Sequence, residues 1–415
     1  MSVNPGDTAW VTIATALVML MTPALGFFYG GLVRRKNIAY TIVQCFAIFA
    51  VVSLVWALWG YSLAFGPSNN GYIGNLDKVL LNNVRVETPF ATQPGITELL
   101  YFAFELMFAA ITPALIVGAF AERIKFRSLL IFIVLWSTFV YAPIAHWVWS
   151  PNGWLGIKGL GAIDFAGGTV VHVSAGLSAL AAAIVVSPRM NREKIESKPS
   201  NVPFVILGAA LLWFGWFGFN AGSALQANAL AASAFVVTNL SAAAATVSWM
   251  AMDTLMKGKP SATGMAIGAV VGLVAITPAS GYVTPTSAII IGLIAGVLSN
   301  LVSTWRVRTR LDDTLDVFAC HGVGGIWGSI ATGLFATTAV NSAGANGLFY
   351  GNPNQLLVQS EALLVVIAFA FVVSFVLLKI VNVFSKLRVT PEEEEKGLDL
   401  SECGEEAYNP SDTAS

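Results

Sequence analysis

Two stretches of this chain set an imidazole among glycines inside an apolar run. They are DFAGGTVVHVSAG at 164–176, which carries His172, and DVFACHGVGGIWG at 316–328, which carries His321. The chain holds three histidines in 415 residues, so neither placement is incidental to composition. A histidine inside a membrane span is costly and faces the bundle interior or a water-filled path. The plain alternative is a packed histidine bonded to a carbonyl, and recurrence in two similarly built segments weighs against it. On a helix His172 neighbours Gly168, Thr169, Ala175 and Gly176, and His321 neighbours Val317, Phe318, Gly324 and Gly325. Small residues around both rings allow two helices to approach until the imidazoles share a hydrogen bond. Apolar surroundings disfavour a charged ring, and a neutral ring offers one donor and one acceptor. Such a lining suits a small neutral polar molecule better than a hydrated ion. A metal site is the rival reading; it needs three or four ligands, and no Cys, Asp or Glu stands at helical spacing from both histidines.

Magnitudes then separate recruitment of a cation from its passage. Moving a bare monovalent ion into low dielectric costs on the order of 20 kcal/mol. A desolvated cation–π contact returns only ~2 kcal/mol. Aromatic residues can therefore gather a cation at a mouth without carrying it through, whereas a cation that sheds its proton crosses far more easily. Suitable aromatics exist. FAFELMFAAIT places Phe104 and Phe108 one turn apart, WFGWFGFNAGSA sets Trp216, Phe219 and Ser223 along one helix face, and Trp149 closes the fourth apolar segment. Taken singly, each reads as a lipid-facing or interfacial anchor; only the set suggests a pore.

The elements that would hold these residues are membrane helices. Apolar residues make up 56% of the chain and charged ones 11%, against roughly 45–50% and ~25% in soluble domains. Mean hydropathy is +0.73. Eleven segments approach the ~20 apolar residues that a bilayer requires: 9–33, 38–65, 96–121, 128–147, 167–187, 202–221, 229–255, 262–278, 285–305, 317–337 and 356–384. Pro278 cuts the eighth short. No basic residue precedes the first segment and Arg34, Arg35 and Lys36 follow it, which argues against a cleaved signal and sets the N-terminus outside. Alternating sides from there places 19 of the 22 Lys and Arg on the cytoplasmic side, all but Lys78, Arg85 and Lys158. An N-out, C-in, odd-span topology follows. The near-zero net charge of −1 gives no sign of a nucleic-acid surface.

The fifth and tenth segments both begin near an acid, Asp164 and Asp316, and then carry their histidine. That likeness suggests two five-helix repeats of opposite topology, with a site near the midplane where they meet and an eleventh helix outside them. The fold expected is therefore an all-α polytopic membrane protein with eleven transmembrane helices, an inverted five-plus-five repeat plus one extra helix. Residues 1–385 form the transmembrane domain and 386–415 a cytoplasmic C-terminal tail, which holds nine of the 23 acids. It reads either as a solvated acidic run or as a docking element. Glycines at four-residue spacing, such as Gly264, Gly268 and Gly272, are packing signals. Cys45, Cys320 and Cys403 are too scattered for a disulfide framework. No Walker A, HExxH or GxSxG sequence supports ATP-driven pumping or the common hydrolase chemistries.

DFAGGTVVHVSAGLSAL, ITPALIVGAFAERIKFRS, WFGWFGFNAGSA, DVFACHGVGGIWG and GLDLSECGEEAY together resemble the Amt/Mep/Rh ammonium transporters, in the expected order and over nearly the whole chain, closer to the Amt branch. The resemblance implies roles. His172 and His321 would be the paired pore histidines. Phe108 and Phe219 would stack as a hydrophobic gate, and Trp149, Phe108 and Ser223 would recruit ammonium or methylammonium outside. Trp216 would line the lumen, and Asp164 would serve a structural and electrostatic role. It also implies homotrimers in the plasma (inner) membrane, a tail packed under the bundle and, for many members, closure by a PII (GlnK-like) signalling protein. No cofactor or enzymatic activity is implied. Cys403 stands where a histidine is expected, and Glu105, between Phe104 and Phe108, has no assigned place. The function expected is recruitment of NH4+, its deprotonation and conduction of NH3, with the proton on a separate route. The rivals are an ammonium sensor signalling through its tail, a neutral-gas channel and a membrane metalloenzyme.

Overall fold

A computed structural model describes residues 3–68, 70–190, 192–194 and 198–408. The last part of the expected tail, 409–415, lies outside the described residues. Within them the chain is almost wholly helical, and nine helices are long and apolar enough to cross a membrane. These are α1 (Pro5–Leu32), α2 (Arg35–Phe65), α3 (Glu98–Phe120), α4 (Phe126–Trp149), α5 (Gly168–Val186), α6 (Val202–Gly222), α7 (Ala229–Lys257), α9 (Pro285–Val307) and α11 (Pro353–Phe384). Two of the apolar stretches give shorter helices. The eighth, α8 (Ala262–Ile276), has 15 residues and ends before Pro278. The tenth, α10 (318–335), joins a wide π turn, Phe318–Val323, to a 12-residue α-helix, Gly324–Phe335.

Helix starts follow local chemistry. Asn4, Thr97, Asn201, Asn228, Ser261 and Thr284 each accept a backbone N–H from the first turn, and Pro5 and Pro285 occupy first-turn positions where no donor is missed. Helix pairing follows glycine. A Cβ on Gly215 would stand 2.2 Å from Met21 and one on Gly208 would stand 2.4 Å from the Phe28 nitrogen, so α6 lies directly against α1. Gly292 of α9 meets the Ser241 carbonyl of α7 at 2.2 Å in the same sense. In lipid, where hydrophobicity does not drive helices together, such close backbone approach supplies the packing. The loop between α2 and α3 folds its end into a small ribbon, Pro89–Phe90 with Gln93–Thr97, whose Phe90 stacks on Tyr101 at 3.8 Å.

The C-terminal tail is docked against the bundle. Thr390 and Glu393 form a capping box for α12 (Pro391–Lys396). The Glu394 carboxylate is buried and accepts from Arg388 Nη2 (2.8 Å) and from the Met190 N–H (2.7 Å). Asp399 accepts the Tyr40 N–H at 2.8 Å and Glu402 accepts the Phe126 N–H at 2.9 Å. Both acids thus sit at helix N-termini, where negative charge is favoured. Cys403 packs with Tyr40, Val389 and Leu398, and burial pushes its thiol up to about 11. Beneath the tail, fully buried Arg123 donates to the carbonyls of Ala119, Asp312 and Ser187 and to Thr314 Oγ1. Arg189 bridges Glu122 (3.0 Å) and Asp312 (3.0 Å).

Burial opposes the charge on Glu122 and Asp312, but Arg189 and Arg34 around the first, and Arg189 and Arg123 around the second, outweigh it, holding Glu122 below and Asp312 well below the usual carboxylate range. A depressed folded-state value stabilises the fold above the unfolded value of about 4 and loses that contribution as pH falls through the lowered value. Thermal unfolding in detergent should therefore vary little from this source between neutrality and pH ~4 and fall steeply below it. Arg123→Met, which removes the donor to the buried carbonyls of Ala119, Ala121, Ser187 and Asp312, should cost about 3–5 kcal/mol in the same measurement. An unchanged melting temperature would mean that those groups find other partners.

Candidate functional site

Both histidine-bearing helices open with a π turn, Gly168–Val173 and Phe318–Val323. In the first, the His172 N–H reaches back five residues to the Gly167 carbonyl at 3.1 Å. Single π turns inside helices are rare and occur frequently at functional sites. Glycine makes the start of α5 possible: Gly167 has φ +113°, a left-handed conformation open to glycine. The Asp164 carboxylate then gathers the free donors of the first turn. It accepts the N–H groups of Gly167 (2.8 Å), Gly168 (2.7 Å) and Thr169 (2.8 Å), and the Thr169 hydroxyl. Trp149 Nε1 is tied to the carbonyl of the same residue at 3.0 Å.

In α10 the corresponding cap is Asp313, not Asp316. Asp313 accepts the N–H groups of Val317 (3.1 Å) and Phe318 (2.7 Å). It lies eight residues before His321, as Asp164 lies eight before His172. Burial, and after it the Asp316 charge, raises its carboxyl to about 6. Asp316 instead takes a left-handed turn, φ +58°, and pairs with Arg306. Reading the nearer acid as the counterpart of Asp164 picked the wrong member of the pair, and the equal spacing was the signal that identified the right one.

The crossing of α5 and α10 sets the ring positions. A Cβ on Gly176 would stand 2.2 Å from the Gly322 nitrogen, and one on Gly325 would stand 3.0 Å from the His172 Cβ. With both glycines bare, His172 Nδ1 and His321 Nδ1 come to 3.3 Å, one donating and one accepting. Ring centroids are 5.3 Å apart. Each histidine is at most 3% exposed, and the Nε2 of His172 has no partner. Trp216 stacks on His172 at 5.4 Å, its own Nε1 donating to Thr277 Oγ1 (2.9 Å). Thr277, which fixes that indole, was not singled out from the sequence.

Beside the rings lies a cavity of about 10 Å³, lined by Leu115, Val171, Trp216, Phe219 and both histidines. That is the room of about one water molecule. Phe108 and Phe219 cover its outer side with centroids 4.2 Å apart, each 1% exposed. Outside them, Trp149 stands edge-on to Phe108 at 5.9 Å. Ser223, which ends α6 one turn beyond Phe219, donates to the Phe219 carbonyl at 2.8 Å and is half-buried, as is Trp149. The expected residues are thus linked pairwise: Trp149 to Phe108, Phe108 to Phe219, Phe219 and Trp216 to His172, and His172 to His321, with Ser223 bonded to the Phe219 carbonyl and Asp164 beside Trp149 at the start of α5. The third histidine, His146, is also fully buried, but its Nδ1 is bonded to the Ala64 carbonyl (2.8 Å) and not to any of these residues. At the end of the bundle where the tail docks, a cavity of about 1290 Å³ is lined by Arg34, Arg189, Arg306, Asp253, Asp316 and neighbouring residues.

The arrangement is a small apolar cavity walled by paired imidazoles and Phe219, with Phe108 stacked on Phe219. Relatives share the whole chain. Residues 9–408 match the profile of the Ammonium Transporter Family. The chain is 48% identical over 407 residues to an ammonium transporter of Bacillus subtilis, covering 98% of this chain and 99% of that one. It is 47% identical over 405 residues to ammonium transporter Amt1 of Archaeoglobus fulgidus, covering 98% and 100%. The crystal structure of Saccharomyces cerevisiae Mep2 superposes with a TM-score of 0.90 at 36% identity, over 100% of this chain and 94% of Mep2. This multi-pass membrane chain belongs to the ammonium transporter family.

Proposed function

We propose that the protein transports ammonium by recruiting NH4+ between Trp149, Phe108 and Ser223, removing its proton, and passing NH3 along the passage lined by His172 and His321. The observation that carries this reading is the size and lining of the cavity. It has room for one small molecule, no charged group on its wall, and one imidazole nitrogen without a partner. A bare cation would lose on the order of 20 kcal/mol of hydration there, whereas neutral NH3 needs only a donor or acceptor. Half-buried Trp149 presents the ring and Ser223 the hydroxyl that a cation can use before that step, worth ~2 kcal/mol for the ring.

The same reading takes α8 and α10 as short spans, giving eleven, with two five-helix repeats of opposite topology and α11 outside them. Its support is the pairing of α1 with α6 and of α5 with α10, each five helices apart, and the shared Asp, π turn and His of the second pair. The N-terminus is then outside and the tail cytoplasmic, in a plasma membrane. Homotrimers and control through the docked tail, by a PII-type partner, belong to this reading too.

The test is current and internal pH in proteoliposomes after pulses of ammonium, methylammonium and K+. Ammonium-dependent flux that K+ does not share is expected. Binding without flux would replace the reading with a sensor, and flux indifferent to Trp149 and Ser223 with a gas channel. Replacing both His172 and His321 by Ala removes the polar lining, worth about 1.4 kcal/mol or more and so about tenfold in ammonium flux or in selectivity over K+; unchanged flux and selectivity would sink the histidine role. Trp149→Ala should weaken apparent ammonium affinity about 2- to 30-fold with maximal flux retained. Asp164→Ala uncaps the start of α5 and should cost about 2–4 kcal/mol in thermal unfolding, with Asn recovering part of it. Equal melting of both Asp164 variants and the unaltered protein would remove the capping role.

A further inference from the structure

The segment that leads into α5 is held in place by side chains. Residues 161–165 lie in no helix or strand, so their backbone groups need partners from elsewhere. The Ala162 N–H finds the Leu155 carbonyl at 3.0 Å and the Phe165 N–H finds the Pro278 carbonyl at 3.1 Å. Ile163, 2% exposed and directly before Asp164, turns to α11 instead. Its N–H donates to Gln359 Oε1 at 2.8 Å, and its carbonyl accepts from Gln359 Nε2 at 2.8 Å. A primary amide carries an acceptor and donors side by side, so Gln359 pairs with Ile163 as a neighbouring strand would. Those two partners also fix which end of the amide is nitrogen. Gln355, one turn earlier, donates to the Gly161 carbonyl (3.1 Å) and to Gln359 Oε1 (3.3 Å). The two glutamines are 4% and 3% exposed. The same turn of α11 is pressed against α10, where a Cβ on Gly333 would stand 2.9 Å from Leu356 Cα and 3.2 Å from Gln359 Cγ. The clamp therefore has little room to move.

Its importance lies in the next residue. The Asp164 carbonyl accepts from Trp149 Nε1 at 3.0 Å, the one hydrogen bond of that indole among the described residues. A single residue step thus separates Gln359 from the group that orients the Trp149 ring. The ring's other neighbours set only its edges: Phe108 at 5.9 Å, and Gly167, where a Cβ would stand 3.3 Å from Trp149 Cη2. Elsewhere on α11, Ser374 Oγ bonds Ser178 Oγ of α5 at 2.7 Å and accepts from Trp136 Nε1 at 3.0 Å. That second contact joins α11 to α5 without touching residues 161–165.

We propose that Gln359, backed by Gln355, is a positioning residue for ammonium recruitment: it holds Ile163 so that the Asp164 carbonyl keeps the Trp149 ring turned toward the cation. This deepens the recruitment reading and rests on it. A cation is attracted to the face of an aromatic ring within about 6 Å of its centre and not to its edge. Rotation of the indole therefore weakens capture, whereas the cavity beside the histidines keeps its shape. Loss of affinity with retained passage is the signature that a packing role would not give.

The experiment measures initial transport rates in proteoliposomes, read as current or internal pH over a series of ammonium concentrations. It compares the unaltered protein with Gln359→Met, Gln355→Met, Ser374→Ala, Trp149→Ala and the Trp149→Ala/Gln359→Met pair, with thermal unfolding of each in detergent. Gln359→Met should raise the half-saturating concentration about 3- to 10-fold with the maximal rate within about twofold, and Gln355→Met should raise it by less. Ser374→Ala should lower the melting temperature and leave half-saturation unchanged. In the Trp149→Ala background Gln359→Met should add less than about twofold, because the ring it acts through is gone. Half-saturation unmoved by Gln359→Met, full additivity with Trp149→Ala, or an equal shift in Ser374→Ala overturns the proposal. If Gln359→Met does not fold, Gln355→Met decides: a shift at constant maximal rate supports the proposal and no shift ends it. If Trp149→Ala itself leaves half-saturation unchanged, the recruitment reading falls instead, so the two failures are told apart.

Discussion

The close crossing of α5 and α10 is the constraint on which the rest of the site depends. Backbone meets backbone where Gly176 lies against Gly322, with no room for a Cβ. That contact brings two imidazoles to 3.3 Å, and it is possible only because each helix begins inside the bundle and not in water. In lipid every N–H and C=O must find a partner within the protein. Asp164 and Asp313 meet that requirement with carboxylates that gather the unbonded N–H groups of each first turn. A wide π turn follows each cap and rotates the histidine. Without the caps there would be no reason for either helix to start where it does.

Much of this was legible in the sequence, because membrane physics writes itself into composition. Apolar runs, small residues beside the histidines and an aromatic stripe on α6 follow directly from hydrocarbon thickness and helical periodicity. The rest depends on backbone geometry that side-chain pattern does not encode. A π turn uses the same residue types as an α turn, so neither GTVVHV nor FACHGV announces one. Asp316 is nearer to His321 than Asp313 is, but a left-handed backbone directs it toward Arg306. Spacing of eight residues on both sides was the better clue.

The tail shows the same limit from the other direction. Its nine acids read equally as a solvated run or as a docking element, since charge alone does not say what it meets. What it meets are helix N-termini: Asp399 at α2 and Glu402 at α4. Those donors belong to residues far away in sequence, which is why no local pattern predicted the contact. Glu105 is the inverse case. Sequence marked it as a charge without a place, and its surroundings supplied hydroxyls and no cation.

Acids near helix starts serve both the tail and the two histidine-bearing helices α5 and α10, and beside the tail the two uses are physically continuous. The tail runs as backbone against the end of α3, with the Val389 N–H on the Arg123 carbonyl and the Lys125 N–H on the Leu387 carbonyl. Arg123, fully buried, donates in turn to the Asp312 carbonyl and Thr314 Oγ1. Between those two residues lies Asp313, the cap of the helix that holds His321. Hydrogen bonds and three successive loop residues therefore connect the tail to the first turn of the helix that carries His321. Continuity alone does not transmit anything, but packed interiors accommodate small displacements poorly. A shift of the tail that moved Arg123 would have to be absorbed either by the loop or by the helix start. The loop is the stiffer of the two, with Asp312 held by Arg189 and Asp313 committed to two N–H groups. The first turn of α10 is where the series ends, and there the backbone departs from α geometry over Phe318–Val323, the turn that carries His321.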